Sequence, residues 1–393
     1  MDATIGSVCT FLNGGTPSRS ESRYFEGDIP WITGADIVGP TVESARSFIT
    51  KEAIESSATN QVPSGTVLLV TRTSVGKVAV AGTTLCFSQD ITALTPDPRK
   101  VDTGYLVQFL RTKDNHFKRL ARGATIKGIT RDVVADIRLP LPPLRDQRRI
   151  ANVLDRAEAL RAKRRTALAQ LDPLIQSIFL DMFGDPATNP KGWPVKSLGD
   201  LARGKPNNGI FRKNPEYLKD ASDGLPVVWV EELFRGDSID TSESRRLRPN
   251  KSEVGKYGLN NGDILFCRSS LKLDGIAFNN VYLGNNGAAL FECHLIRISL
   301  NLNIVSPLFL NCLLRLPQMR AIAKSKSKTA TMTTIDQDSL CSIPVPLPPF
   351  TLQRKFAGRM QVVGKMKEKH RASLVKLDAL FSTLQNRAFN GGL

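Results

Sequence analysis

Two stretches of the chain place apolar residues at helical spacing over an unusual length. In the first, Ile150, Leu154, Ala157, Leu160, Leu168, Leu171, Leu174 and Ile178 recur at steps built from three and four. In the second, Phe356, Met360, Val363, Met366, Leu374, Leu377, Leu380 and Leu384 do the same. Such a stripe occupies one face of a helix and has to be covered. Leu141-Pro142-Pro143 and Leu347-Pro348-Pro349 precede the two stripes and set an extended approach to each. Phe183-Gly184-Asp185-Pro186 ends the first and Asn390-Gly391-Gly392 the second. Pro173 stands in the first where Ala379 stands in the second, which predicts a kink or a fresh helix start after Asp172. A polar break lies in the middle of each, at 161–165 and 367–371. Two matching stripes predict two long helices packed antiparallel. Ile150, Leu154, Leu168 and Leu171 of one and Phe356, Met360, Leu374 and Leu377 of the other would lie at the helix–helix or partner interface.

The stripes belong to an internal repeat. Residues 139–148 read LPLPPLRDQR and residues 345–354 read VPLPPFTLQR, an offset of 206. The register carries without a gap through Ala151 on Ala357, Lys163 on Lys369, Leu171-Asp172 on Leu377-Asp378 and Phe183 on Phe389. Weaker similarity precedes it at offsets of 196 to 198: Trp31 falls on Trp229, Gly65 near Gly262, and Arg72-Thr73-Ser74 on Arg268-Ser269-Ser270. The variable segments read as mixed α/β, with strands expected at 66–71, 77–81, 263–267 and 295–300 and helices at 103–111 and 306–314. The fold class is therefore α+β. Two pseudo-repeated α/β segments, 1–138 and 187–343, are each followed by a helical region, 139–186 and 344–393, with the helices paired as a coiled-coil-like spacer.

Charge narrows the partner. The 393 residues carry 54 Lys and Arg against 37 Asp and Glu, a formal charge of +17, which favours a polyanion. No run approaches the roughly 18 apolar residues of a membrane span. The start of the chain has neither a basic nor an apolar leader region. A cytoplasmic location with no membrane partner is expected. Cys9, Cys86, Cys267, Cys293, Cys312 and Cys341 form no CxxC pair and are expected to be reduced. Cys293 adjoins His294, but neighbours on a strand face opposite sides, so no metal site is expected.

Chemistry of its own is hard to find in the chain. Adenine methyl transfer needs an Asn/Asp-Pro-Pro-aromatic motif; Leu347-Pro348-Pro349-Phe350 lacks the Asn or Asp and repeats Leu141-Pro142-Pro143-Leu144, so it reads as a helix entrance. There is no GxxxxGK[ST] loop for ATP, Gly34 and Gly39 make no dinucleotide fingerprint, and Asp36, Asp90 and Asp263 are isolated in sequence. No catalytic residue and no cofactor is expected in this chain.

DNA contact is better supported, because base edges and phosphates are held by Arg, Lys, Asn, Gln and hydroxyls. Candidates in the first variable segment are Arg19, Arg72, Thr73, Ser74, Lys77, Arg122, Thr125 and Lys127. In the second they are Lys205, Asn207, Asn208, Arg212, Arg268, Ser269, Lys272, Lys324, Lys326 and Lys328. The alternating lysines at 324–328 suit a loop along a phosphate backbone. Arg72 and Arg268 stand out, since both follow a predicted strand at corresponding positions beside hydroxyls. Trp31 and Trp229 are expected in the core rather than stacked on bases.

The motifs Gly15-Thr16-Pro17, Ile29-Pro30-Trp31-Ile32, Val70-Thr71-Arg72-Thr73-Ser74-Val75-Gly76-Lys77 and Gly123-Ala124-Thr125 with Ile129 complete the first copy. Pro140-Leu141-Pro142-Pro143-Leu144 with Gln147 and Ile150-Ala151 follows them. Together with the duplication they resemble the specificity subunits of type I restriction-modification systems. The resemblance covers essentially the whole chain. The second copy keeps Trp229, Gly262-Asp263 and Arg268, while residues 272–275 replace the compact Val-Gly-Lys. It implies a non-catalytic, DNA-binding subunit of a defence system against foreign DNA, each recognition domain reading half of a bipartite asymmetric target. It also implies two modification subunits that methylate adenine N6, and restriction subunits for ATP-dependent translocation and cleavage. S-adenosylmethionine, ATP and Mg2+ would then be bound by those partners. A stand-alone DNA-binding protein and a methylation-only specificity subunit are the alternatives; an enzyme with a novel pocket and a protein-only scaffold are more distant rivals.

A helix from about residue 146 to 182 would be roughly 55 Å long at about 1.5 Å per residue. That spans roughly 16 base pairs of duplex at about 3.4 Å each. The helix thus suits a ruler between two half-sites. Inserting one or two helical turns between Leu168 and Leu174 is expected to lengthen the preferred spacer, and a methylation assay showing an unchanged spacer would count against the ruler.

Overall fold

A computed structural model describes residues 2–123, 127–213, 216–217, 224–329 and 332–390. The chain divides into two compact units, 1–164 with 373–393 and 165–372. Each unit therefore holds one recognition segment and a length of both long helices.

The first unit is built on a five-stranded sheet in the order Cys9–Asn13, Ile91–Pro96, Val67–Val70, Val78–Ala81, Thr41–Val42. A second sheet runs Ser47–Ile49, Ile29–Ile32, Leu85–Phe87, Asn60–Val62. The second unit repeats the plan with Asn207–Asn208, Leu295–Ile298, Ile264–Cys267, Asn279–Val281 and with Arg246–Leu247, Leu225–Val228, Leu290–Phe291. The central strands, Val-Leu-Leu-Val at 67–70 and Ile-Leu-Phe-Cys at 264–267, are buried on both faces. That explains why they read as continuous apolar runs rather than alternating ones. In both units the strand ending at or next to the tryptophan pairs parallel with a later one: Ile29–Ile32 with Leu85–Phe87, and Leu225–Val228 with Leu290–Phe291. Trp31 is buried and donates from Nε1 to the Gly15 carbonyl at 3.1 Å. Trp229 is only half-buried, beneath the Arg245 guanidinium.

The long helices are Leu144–Phe183 and Phe350–Asn390. The first runs unbroken through Pro173, so the expected fresh start is absent. Proline removes the amide that would bond the Ala169 carbonyl. Ala169 and Pro173 both face solvent, where water can replace that bond.

In the first unit, Ile150, Ala151, Leu154 and Ala157 share a core with Phe381, Ala388 and Phe389. The Phe389 ring there meets Tyr105 at 5.3 Å and Phe109 at 5.4 Å. In the second unit, Leu171, Ile175, Phe179 and Phe183 share a core with Phe356 and Val363. The start of each helix thus packs beside the end of the other, the antiparallel pairing that the stripes predict. Leu168, Met360, Leu374 and Leu377 are half-buried. Leu160, Leu174, Met366 and Leu380 are 42–55% exposed, against the stripe drawn from sequence. The covered face of the first helix instead steps by four through Leu171, Ile175, Phe179 and Phe183, because the aromatic rings reach Phe309 and Phe356.

One glutamine fixes each helix to its recognition segment. Gln147 is 1% exposed, accepts from the Asp102 amide at 2.9 Å and donates to the Lys100 and Pro142 carbonyls at 2.9 Å. Gln353, fully buried at the repeat-related position, accepts from the Ser306 amide at 2.9 Å and donates to the Ile304 and Pro348 carbonyls. Asp102 and Ser306 are the N-caps of the helices Thr103–Thr112 and Pro307–Arg315, so each glutamine joins two helix starts. Gln147→Ala or Gln353→Ala would leave buried amide and carbonyl groups unpaired. Each is expected to cost about 1–3 kcal/mol, read as a lower urea midpoint at unchanged slope.

Candidate nucleic-acid interface

In the first unit, the segment following the strand Val67–Val70 is knitted to residues 127–129 and, through Gly128, to Arg122. The Thr73 amide donates to Lys127 at 3.0 Å and the Ile129 amide to Thr71 at 2.9 Å. Arg122 and Gly128 exchange both backbone hydrogen bonds at 2.9 Å, and Arg72 also bridges Gly128. Gly128 leaves little room here: a Cβ would sit 3.0 Å from the Arg72 Cγ and 3.1 Å from the Thr71 carbonyl oxygen. Thr73 holds φ at 63°, a left-handed conformation unfavourable for a β-branched residue. Strain of this kind persists only where the surroundings over-determine it. The result is an open cleft of about 350 Å3 that gathers Thr73, Ser74, Lys77 and Lys127 with Asp114 and Lys118.

Arg72 and Thr73 are exposed, as are Arg122 and Lys127. The Lys77 ammonium donates to the Gly34 and Ile37 carbonyls at 3.2 Å, so it holds the neighbouring loop as well. Arg19 lies in an exposed turn before the short helix Ser22–Phe25. Thr125 lies outside the described residues.

The second unit places Arg268 in the same backbone setting. Its amide donates to the His294 carbonyl at 2.8 Å, as the Arg72 amide does to Asp90 at 3.2 Å. Its carbonyl accepts from Ile335 at 3.0 Å. Ser269–Ser270 pairs with Thr333–Thr334, which pairs in turn with Lys328–Thr329, a small sheet among the described residues of this unit alone. The Ser269 hydroxyl lies 2.7 Å from His294 Nδ1. A cleft of about 540 Å3 collects Ser269, Ser270, Leu271, Lys272 and His294. Leu271, at its rim, is 84% exposed.

The lysines at 324–328 do not form the free loop expected from sequence. Lys324 closes the last turn of the helix Pro317–Ser325, which buries Met319 and Ala323, and its ammonium lies 2.5 Å from Asp274. Lys326 caps that helix and is half-buried; Lys328 begins a strand, 3.7 Å from Asp336. Three further candidates are engaged in structure. Asn207 accepts from Arg297 at 3.0 Å, Asn208 accepts from Gln337 at 3.1 Å, and Arg212 pairs with Glu216 at 3.2 Å and with Glu253. Lys205 and Lys272 remain exposed. Two neighbours of these clefts, Lys118 and Leu271, were missed by the sequence reading; no local motif marks either.

Asp36 accepts from Arg46 at 2.7 Å, and Asp263 accepts from the Asn260 amide at 2.8 Å with its carboxyl pushed up by burial. Among the described residues no helix is long and apolar enough to cross a membrane.

Residues 1–170 match the family model for the type I restriction modification DNA specificity domain. The chain is 28% identical to the MjaIX type I restriction enzyme specificity subunit of Methanocaldococcus jannaschii over 61% of its own length. That match spans 58% of the relative, less than two thirds of it. Similarity to the StySPI specificity subunit of Salmonella potsdam is 22% but covers 100% of this chain and 88% of that one. The fold matches a crystal structure of the S subunit of a type I restriction-modification system from M. genitalium, with a TM-score of 0.62 and 17% identity over 99% of this chain and 96% of that one. The chain is thus similar to type I specificity subunits over its first 170 residues, and the likeness of fold extends along its whole length.

Proposed function

We propose that this relative of the type I specificity subunits is itself the DNA-reading subunit of such a system. Each unit reads one half of a bipartite, asymmetric duplex target. Two modification subunits dock on the chain and methylate adenine N6, and restriction subunits join for translocation and cleavage. The chain supplies no chemistry; S-adenosylmethionine, ATP and Mg2+ belong to its partners. The observation that carries this reading is the duplicated arginine–hydroxyl segment. Arg72-Thr73-Ser74 and Arg268-Ser269-Ser270 leave the same sheet position in two separate units, each beside a cleft lined by hydroxyls and lysine. Two such readers on one chain match a target in two halves.

The test is the methylome of a host expressing this chain with its modification partner. A bipartite motif with methylated adenine in each half is expected; a continuous motif or none would overturn the proposal. The purified chain alone, given S-adenosylmethionine and DNA, is expected to transfer no methyl group. Because the surplus of 17 positive charges favours phosphate contacts, specific affinity should fall steeply with salt. With six phosphate contacts the loss is on the order of 1,000-fold between about 50 and 200 mM, measurable by fluorescence anisotropy. A flat salt profile would remove phosphate contact from the account.

A further inference from the structure

The turn that receives the Arg268 amide also brings three metal-binding side chains together. Glu292, Cys293 and His294 are consecutive, and on a regular strand the last two would face opposite sides. The backbone instead turns at Cys293 and His294, between the strands Leu290–Phe291 and Leu295–Ile298. One carboxylate oxygen of Glu292, the Cys293 sulfur and one imidazole nitrogen of His294 lie within 4.8 Å of one another. The turn therefore removes the reason for keeping Cys293 and His294 apart.

A second observation points to a ligand. Glu292 is 2% exposed; one oxygen accepts from the His294 amide at 2.8 Å, and the other, Oε1, has no hydrogen-bond partner of normal geometry. A buried carboxylate oxygen left in that state is costly unless a cation meets it. Burial pushes the Glu292 carboxyl up, the His294 amide and imidazole and the Cys293 thiol act against the rise, and the buried Glu232 carboxylate adds to it. No cationic side chain is hydrogen-bonded or ion-paired to Glu292 among the described residues.

We propose that Glu292, Cys293 and His294 form a site for one divalent cation of borderline softness, zinc above all, with its fourth position open to solvent. A thiolate and an imidazole select zinc over magnesium or calcium, and three protein ligands leave one tetrahedral position vacant. On binding, the thiol loses its proton to solvent, and the two anionic ligands balance the ion's charge. Ser269, 2.7 Å from His294 Nδ1, holds the ring as an outer partner. The neighbouring cleft, lined by Ser269, Ser270 and His294, gives the ion a way in. Repeat-related positions in the first unit hold Ser88, Gln89 and Asp90, so this site belongs to the second reader alone. Since the His294 carbonyl accepts the Arg268 amide, the ion stiffens the turn on which that reader is built.

The experiment titrates the full chain, stripped with chelator under reducing conditions, with Co2+ and then Zn2+ in the absence of DNA. One Co2+ per chain with a thiolate-to-cobalt charge-transfer band, displaced by Zn2+, is expected. Cys293→Ser and, separately, the near-isosteric Glu292→Gln should abolish stoichiometric binding, while Cys341→Ser should retain it. Ser269→Ala should weaken it by roughly 10–100-fold. Metal-free circular dichroism checks that each variant folds. A chain that binds no Co2+, or a charge-transfer band that survives Cys293→Ser, overturns the site. Because DNA is absent, either result is independent of the DNA-reading proposal.

Discussion

Replacing Arg72 and Arg268 together by alanine is expected to weaken specific DNA binding at least 30-fold and leave the fold intact. Both side chains are exposed, and neither has an ion-pair partner among the described residues. What these positions contribute to the fold is backbone: the Arg72 and Arg268 amides bond Asp90 and His294, and alanine keeps those bonds. Thermal stability should therefore stay within about 0.5 kcal/mol of wild type, as at other exposed positions. A good bidentate arginine–base contact is worth about 1–3 kcal/mol of discrimination. The residues lie in separate units, so their losses should add. The sum, about 2–6 kcal/mol, is roughly a 30-fold to 20,000-fold loss of affinity. Anisotropy with the methylome-derived target would measure it. The single variants are more informative still: Arg72→Ala should relax methylation in one half of the motif and Arg268→Ala in the other. Wild-type binding by the double variant would favour a scaffold whose charge serves only protein partners. Singles that disturb both halves equally would argue against two independent readers.

The repeat was legible because the helix entrances impose the same demands twice. Pro142-Pro143 and Pro348-Pro349 recur with Gln147 and Gln353 five residues after the first proline of each pair, and the buried glutamine bonds show why that spacing is fixed. Periodicity also located the central strands: 66–71 and 263–267 correspond to Val67–Val70 and Ile264–Cys267, and 103–111 to the helix Thr103–Thr112. Sheet order was not legible. The parallel partners Ile29–Ile32 and Leu85–Phe87 are four and three residues long and far apart in sequence, so neither carries a pattern that names the other.

Exposure of the basic residues was the least readable feature. Arg212 has Glu216 at helical distance, but its other partner, Glu253, comes from 41 residues away. Lys324 and Lys328 look like a loop only until Asp274 and Asp336 are brought beside them. A single turn likewise decided the surroundings of Cys293 and His294. Local composition states which residues are suited to an anion or a metal; the tertiary partners decide which are available. That is why the corresponding positions Arg72 and Arg268, exposed in both copies, carry more weight than any one lysine.

The largest effect on stability is expected from emptying the acid cage around Lys367. This lysine is 1% exposed, with Nζ 2.5 Å from Asp172 and 2.8 and 2.9 Å from the two oxygens of Asp237. The repeat register places Arg161 at its counterpart, and Arg161 reaches Asp378, the counterpart of Asp172, at 2.6 Å. Each unit thus ties its two helix segments with a basic residue to an aspartate across the pair. The two ends of the Lys367 cage differ in exposure. The Asp172 side chain is 70% exposed and that of Asp237 38%, so either can turn to water; the ammonium cannot. Lys367→Met should cost only about 1.5–3 kcal/mol, the range for a lost charged hydrogen bond. Asp172→Asn with Asp237→Asn leaves a buried cation without a counter-charge and should cost about 3–5 kcal/mol. For a unit of this size each kcal/mol is about 2–4 °C in Tm, so the double variant should melt roughly 6–20 °C lower. Adding Lys367→Met to that pair removes the uncompensated charge and should recover most of the loss. A triple variant no more stable than the double would mean that the aspartates act through packing or helix capping, not through Lys367.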